Sequence, residues 1–175
     1  VSSYFFKGAW KRMKPLDFKV SGFLFSGISA GIKKDGKKDF GLIYSEVPAR
    51  VAGLFTTNAV KAAPVQLDME RIKGGLCQAI IVNSGNANAC TGNQGLRDAK
   101  RVSSLIAKQL GIDEKLVFPS STGVIGSPLP MKKIEEGIPE LIDHLSPEGW
   151  MSAVEAMMTT DTFPKVEVAT CRLKG

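Results

Sequence analysis

Residues 78–110 read QAIIVNSGNANACTGNQGLRDAKRVSSLIAKQL. Gln78 to Gly85 is an apolar, β-branched run that ends in short polar residues, which predicts a strand opening into a loop. From Gln94 to Leu110 the period changes. Leu96, Ala99, Val102, Ile106 and Leu110 recur at three- and four-residue spacing, and Gly111 supplies a stop, so this part is expected to be a helix. Strand, glycine- and asparagine-rich loop (83–93) and helix follow directly on one another. That succession places the chain among mixed α and β folds.

Working outward, the segments before this stretch read mostly as strands. Gly22 to Ile32 and Phe40 to Ser45 flank a lysine-rich turn, and Val51 to Asn58 is a further β-type run. After it, Leu116 to Pro119 is an apolar run leading into SSTGVIG (120–126). Ile134, Ile138, Leu141 and Leu145 then mark a second helix, weakened in its middle by Pro139. Ser146-Pro147 reads as the start of a third, carrying Trp150, Val154, Met157 and Met158. The tail alternates Val166, Val168 and Thr170, and is expected to be a strand. With strands early and helices later, one α+β domain is expected over 22–175, preceded by a segment of unassigned role over 1–21.

The bulk numbers exclude several classes. An apolar fraction of 43% in 175 residues suffices for one medium domain with a real core. No run of about 18 apolar residues occurs, so no membrane span is expected. Val1 to Lys14 is broken by Lys7, Lys11, Arg12 and Lys14 and lacks the apolar centre of a signal peptide. Cys77, Cys90 and Cys171 are odd in number and widely spaced, and His144 is the one histidine. Reduced thiols in a cytoplasmic protein, with no metal site, are the expectation. The net charge is +6, with its sharpest cluster at KKDGKKD, Lys33 to Asp39. Asp35-Gly36 is a hairpin-turn signal there. The lysines either decorate a solvated tip or draw an anionic substrate. Aromatics make up 7% of the chain and are not interleaved with the lysines, so nucleic acid is not an expected partner.

The hydroxyls of SSTGVIG raise the question of chemistry. A nucleophilic serine at Ser120 or Ser121 needs a base held by a carboxylate. His144 with its neighbour Asp143 is the only candidate, and no G-x-S-x-G elbow is present. Cys90, just before a helix, lacks a base as well. The NSGNANACTG loop could cradle an anion at a helix N-terminus, but neither the Walker pattern nor G-x-G-x-x-G is present. Its asparagines can equally satisfy their own backbone. In acyl transfer, a Thr hydroxyl beside an unhindered Gly N–H can supply two donors to a developing oxyanion. Thr122 and Gly123 have that form.

Four stretches occur here in one order: residues 22–65, IIVNSGNANACTG (80–92), SSTGVIG (120–126) and MTTDTFPK (158–165). Together they strongly resemble the N-terminal half of the ornithine acetyltransferase family of arginine biosynthesis. The resemblance implies a precursor that cuts itself into α and β chains, with this chain as the α chain. It implies that the new N-terminal Thr of β is the nucleophile and its amine the base. Acetyl would pass from N-acetylornithine to that Thr and on to glutamate by a ping-pong route, with acetyl-CoA a donor in some members. No cofactor is implied.

The implied fold is a sandwich of β-sheets and helices similar to the DmpA-like self-cleaving aminopeptidases. The implied assembly is two α and two β chains. Residue by residue, the family's oxyanion-hole pair falls on Thr122 and Gly123. Its α-chain substrate-binding Thr falls on Thr159, with Thr160 as the near competitor. The family's glycine-rich lead-in and cleavage junction are not in this sequence, and Ala169-Thr170 sits in an alternating run rather than at such a junction. The alternative is a related self-cleaving amidase with water as acceptor. A non-catalytic anion-binding module is a third possibility.

Overall fold

The computed structural model describes residues 19–168. Residues 1–18, and with them most of the N-terminal segment, lie outside the described part, as do Ala169, Thr170 and Cys171. Four strands, β1 (Phe23–Ile28), β2 (Phe40–Arg50), β3 (Leu76–Asn86) and β4 (Val117–Val124), form one sheet in the order β1-β2-β3-β4. The first three are antiparallel neighbours, and β4 runs parallel to β3. A parallel pair needs a crossover, and helix α2 (Gly92–Leu110) supplies it. The other helices are α1 (Ala63–Arg71), α3 (Met131–Asp143) and α4 (Trp150–Met157). The mixed α+β class expected from the sequence is the class observed.

Alternation along the strands decides which face each helix covers. Ile28, Phe40, Leu42, Ala79, Ile81 and Val117 point to one face and pack on Val102 and Ile106 of α2 and Ile134, Ile138 and Leu141 of α3. The opposite face of β1 and β2 carries Gly27 and Gly41, against which α4 lies. A Cβ on Gly27 would stand 2.0 Å from the Ser152 carbonyl oxygen, and one on Gly41 3.1 Å from the Ala156 Cβ. Small residues on both sides thus let a short helix sit directly on the sheet. Among the described residues no helix is long and apolar enough to cross a membrane.

Several expectations need correction. The first strand stops at Ile28 rather than Ile32, and residues 29–39 form a long connection instead of a tight hairpin. The cause is Asp39, fully buried, whose carboxylate oxygens accept the N–H groups of Ala30 and Lys33, each at 2.7 Å. Val51 to Asn58 is not a strand. β2 extends to Arg50 through an irregularity between Tyr44 and Ala49, and both of its edges are already taken by β1 and β3. The run that follows pairs with neither outer strand of the sheet, β1 or β4, and Leu54 is fully exposed.

Helix α1 had no periodic signal strong enough to announce it. Its one sequence cue is Pro64 in the first turn. It buries Ala63 and Leu67 against Leu96 and Ala99 of α2. Helix α4 starts at Trp150, because Ser146 bridges to the edge of β1, exchanging two backbone hydrogen bonds with Phe25 at 2.9 and 3.0 Å. The described part of the tail, through Val166 and Val168, is not a strand. Helix α2 behaves as expected, closing on Gly111 in the left-handed conformation (φ 67°).

Candidate functional site

β3 and β4 end side by side. Ser84 pairs with Thr122 and Gly85 with Gly123 in the parallel ladder, with a bulge at Asn86. Gly123 has φ +135°, and a Cβ there would lie 2.4 Å from the Gly85 carbonyl carbon and 2.6 Å from the Asn86 nitrogen. Only glycine permits this approach of two backbones. Thr122 is half-buried, and among the described residues its hydroxyl has no hydrogen-bond partner. Its neighbour Ser121 is occupied, donating to Asn83 Oδ1 at 2.6 Å, while Ser120 is exposed on the other face.

The asparagine loop after β3 explains why this strand end is rigid. Asn83 donates to the Asn86 carbonyl at 2.8 Å, and Asn86 donates to the carbonyls of Ser127 and Pro128 at 2.9 and 3.0 Å. Asn86 Oδ1 accepts the Asn88 N–H at 2.8 Å. Asn88, fully buried with φ 44°, donates to the Gly95 carbonyl at 2.9 Å and accepts Thr91 Oγ1 at 2.9 Å. Ala87 N–H to the Val124 carbonyl (2.9 Å) and Gly126 N–H to the Ala89 carbonyl (2.8 Å) clamp the segment after Gly123. The loop spends its amides on neighbouring backbone. It is also packed onto the first turn of α2, where a Cβ on Gly95 would stand 2.0 Å from Thr91 Oγ1. This is scaffold rather than a phosphate cradle.

Thr159 and Thr160 follow the end of α4 and are exposed. Ser84 Oγ, on the strand end that pairs with Thr122, donates to the carbonyl of Ala156 near the end of α4. The helix that Thr159 and Thr160 follow is thus tied to the strand end that carries Thr122 and Gly123, although neither of those two residues lines the cleft beside Thr159. Thr159 and Thr160 line an open cleft of about 740 Å³ with Thr162, Asp161, Glu155 and, across from them, Lys33, Lys37 and Lys38.

The lysine turn is thus a wall of the cleft rather than only a solvated tip. Lys38 pairs with Glu155 at 2.8 Å and donates to Ser152 Oγ at 2.7 Å. Lys37 pairs with Asp35 at 2.9 Å, and Lys165 with Asp161 at 2.7 Å. The Lys37 hydrogen bond lowers the Asp35 pKa, and the Lys165 hydrogen bond lowers that of Asp161. Burial pushes the Lys33 ammonium pKa down, against the opposing pull of Asp39 and Asp35.

The alternative chemistries find no support in the geometry. His144 caps the exposed end of α3, its Nδ1 at 2.8 Å from the Glu140 carbonyl oxygen. Cys77 is buried and Cys90 exposed, both as free thiols. No cluster of three or more His, Cys, Asp or Glu among the described residues is arranged to hold a metal. Sequence reasoning did not single out Ser84 or Gly85, and it read Lys33 only as one member of the lysine cluster. The signal for the first two was the Ser-Gly step in a strand end. For Lys33 it was the charge cluster, whose fold against α4 is not visible in one dimension.

The family model described as ArgJ family matches residues 24–175. An arginine biosynthesis bifunctional protein ArgJ from Syntrophotalea carbinolica is 60% identical over 148 residues, covering 85% of this chain and 38% of that protein. The chain thus spans about two-fifths of the length of the curated relatives it matches. The crystal structure of arginine biosynthesis bifunctional protein ArgJ from Bacillus halodurans superposes with a TM-score of 0.80 at 42% identity, covering 89% of this chain and 83% of that one. Ornithine acetyltransferase from Mycobacterium tuberculosis, solved in complex with ornithine, gives a TM-score of 0.80 at 38% identity over 82% of this chain and 78% of that one. The chain belongs to the ArgJ family.

Proposed function

We propose that this chain is the α half of a cytoplasmic acetyltransferase of arginine biosynthesis that moves acetyl from N-acetylornithine to glutamate. The observation that carries the reading is the end of β4. A half-buried Thr122 hydroxyl, without a partner among the described residues, stands beside Gly123 on a rigid backbone, with no base beside it in the described part of the chain. That is an arrangement for stabilising charge rather than for nucleophilic attack. Two further facts support it. The family's relatives are named for arginine biosynthesis, and the M. tuberculosis relative was solved with ornithine. The chain also covers 83% of the B. halodurans crystal chain but only 38% of the S. carbinolica protein, which supports a precursor divided into two chains of comparable size.

In this reading the nucleophile is the N-terminal Thr of a β chain from the same precursor. Its Oγ attacks the acetyl carbonyl while its own amine takes the proton. The oxyanion is met by the Thr122 O–H and the Gly123 N–H. Ornithine leaves as the amine, taking the proton, and an acetyl ester remains on Thr. The glutamate amine then attacks that ester through the same oxyanion, which closes the ping-pong cycle. Thr159, with Thr160 next to it, contacts the substrate at the cleft. Acetyl-CoA can load the same Thr, a second role that the relatives' name, bifunctional, supports. Two α and two β chains form the assembly, and the reaction needs no metal or cofactor.

The test begins with intact masses and N-terminal sequences of the purified full-length gene product. Two chains, the second beginning with Thr, are expected. Thr122→Ala should lower the rates of both half-reactions by about 10²–10³-fold, the effect of losing one oxyanion donor, with assembly unchanged. Unchanged turnover removes the assignment. Acetate release at full rate without glutamate would instead identify a hydrolase.

A further inference from the structure

Thr122 lies on an outer strand. β4 has β3 on one side and, among the described residues, no strand on the other. Its far end is therefore held by one ladder and by whatever side chains add. After Gly123 the chain is clamped by backbone, through the Ala87 N–H on the Val124 carbonyl and the Gly126 N–H on the Ala89 carbonyl. Gly123 itself is fixed by its contact with the backbone of Gly85 and Asn86. The residues just before it, Ser120 to Thr122, have no such clamp outside the ladder among the described residues. Their one side-chain tie there is the Ser121 hydroxyl, which donates to Asn83 Oδ1 at 2.6 Å.

Asn83 is buried and uses both ends of its amide at this point. Oδ1 accepts from Ser121, the residue that precedes Thr122. Nδ2 donates to the carbonyl of Asn86 at 2.8 Å, and Asn86 is the bulge residue paired with both Thr122 and Val124. One amide thus grips the chain neighbour of Thr122 and its cross-strand neighbour together. Successive strand residues face opposite ways, so Asn83 and Ser121 stand on one face of the sheet and Ser84 and Thr122 on the other. The grip acts from behind and leaves the Thr122 hydroxyl available to a ligand. An amide carries a donor and an acceptor at a fixed separation, and a hydroxyl or an apolar side chain of similar reach does not replace both.

We propose that Asn83 is a positioning residue for acetyl transfer: its amide holds the Thr122 hydroxyl where the oxyanion forms, without touching the substrate. The inference rests on the acetyltransferase reading above and deepens it.

The test uses the full-length protein with N-acetylornithine as donor and glutamate as acceptor. Both half-reactions pass through one oxyanion. Asn83→Leu, close in size and unable to make either bond, should therefore lower kcat/KM for both substrates by about ten- to a hundredfold, as expected for a donor displaced on the order of 1 Å. The Kd of ornithine, measured by calorimetry, should stay within about threefold. Ser121→Ala removes the first bond with little change in packing and should lower both kcat/KM values by about tenfold. Ser121→Thr, which keeps the hydroxyl, should restore them. Added to Thr122→Ala, Asn83→Leu should cost less than about threefold more, because the group it positions is already gone. A merely structural Asn83 would instead multiply the two losses, or weaken ornithine binding in step with turnover, and either result overturns the inference. So does wild-type turnover in Ser121→Ala, the variant that carries the test if Asn83→Leu does not fold. Each of these outcomes leaves the acetyltransferase reading intact. Wild-type protein that transfers no acetyl overturns both.

Discussion

Gly123→Ala tests the geometry of the candidate site most directly. The added Cβ would sit 2.4 Å from the Gly85 carbonyl carbon, 2.6 Å from the Asn86 nitrogen and 2.8 Å from the Gly85 Cα. All three are backbone atoms of a strand whose far side is pinned by the asparagine network, so no side chain can swing away. The φ of +135° adds a conformational cost of about 1–3 kcal/mol for a residue with a Cβ. Forced repacking adds about 1–3 kcal/mol more. A loss of roughly 2–6 kcal/mol corresponds to a fall in Tm of roughly 5–20 °C for a chain of this size. Gly111→Ala is the matched control. Gly111 has φ +67°, but a Cβ there would meet nothing within 4 Å, so only the conformational cost remains. Thermal melts and urea titrations of the full-length variants measure both. Activity should fall more than stability, because a displacement of the order of 1 Å at an oxyanion donor costs about 10²-fold in rate. Gly123→Ala with the melting temperature and turnover of the wild type would refute the close approach of β3 and β4, and with it the proposed role of Gly123.

Two further outcomes follow from carboxylates withdrawn from water, Asp39 fully and Asp68 in part. Asp39→Ala should destabilise the protein by about 2–4 kcal/mol by leaving the amides of Ala30 and Lys33 unpaired, and hydrogen exchange at those two amides should accelerate. Asp68 has an Oδ1 without a partner among the described residues, and burial raises its pKa from 3.8 to about 7, against the pull of Arg71. Its folded form binds the proton more tightly than the unfolded chain. Its contribution to stability is therefore full at low pH, is lost as pH rises from about 4 to about 7, and is flat above that. Partial exposure and solvent screening reduce the size to about 1–2 kcal/mol. Asp68→Asn should flatten this slope, as read from urea midpoints across that pH range, and an unchanged slope would exclude Asp68 as its source.

The chain's local elements were legible where their physics is local. The 3.6-residue period and Gly111 announce α2, and the β-branched run at 78–85 announces β3, because periodicity and glycine's access to positive φ act within a few residues. The Thr-Gly step in SSTGVIG has the form of an oxyanion pair, but it was the family resemblance that singled it out. Val51 to Asn58 looked like a strand and is not, because β-type residues make a strand only where the fold lays them beside a sheet edge, and this run lies beside neither edge of the sheet. Ser146 looked like a helix cap and instead pairs with Phe25, a residue remote in sequence.

The site follows the same division. The resemblance, not composition, implied that Thr122, Gly123 and Thr159 form one functional set. What ties the strand end carrying Thr122 and Gly123 to α4 and the lysine turn is the Ser84 bond to Ala156, the fit of α4 onto Gly27 and Gly41, and the stem of Lys33 lying on Gly85. Each is a contact between residues far apart in the chain. Residue types and spacing determined which groups were available for the chemistry. Only tertiary packing, through backbone approaches that glycine alone permits, decided which of them meet.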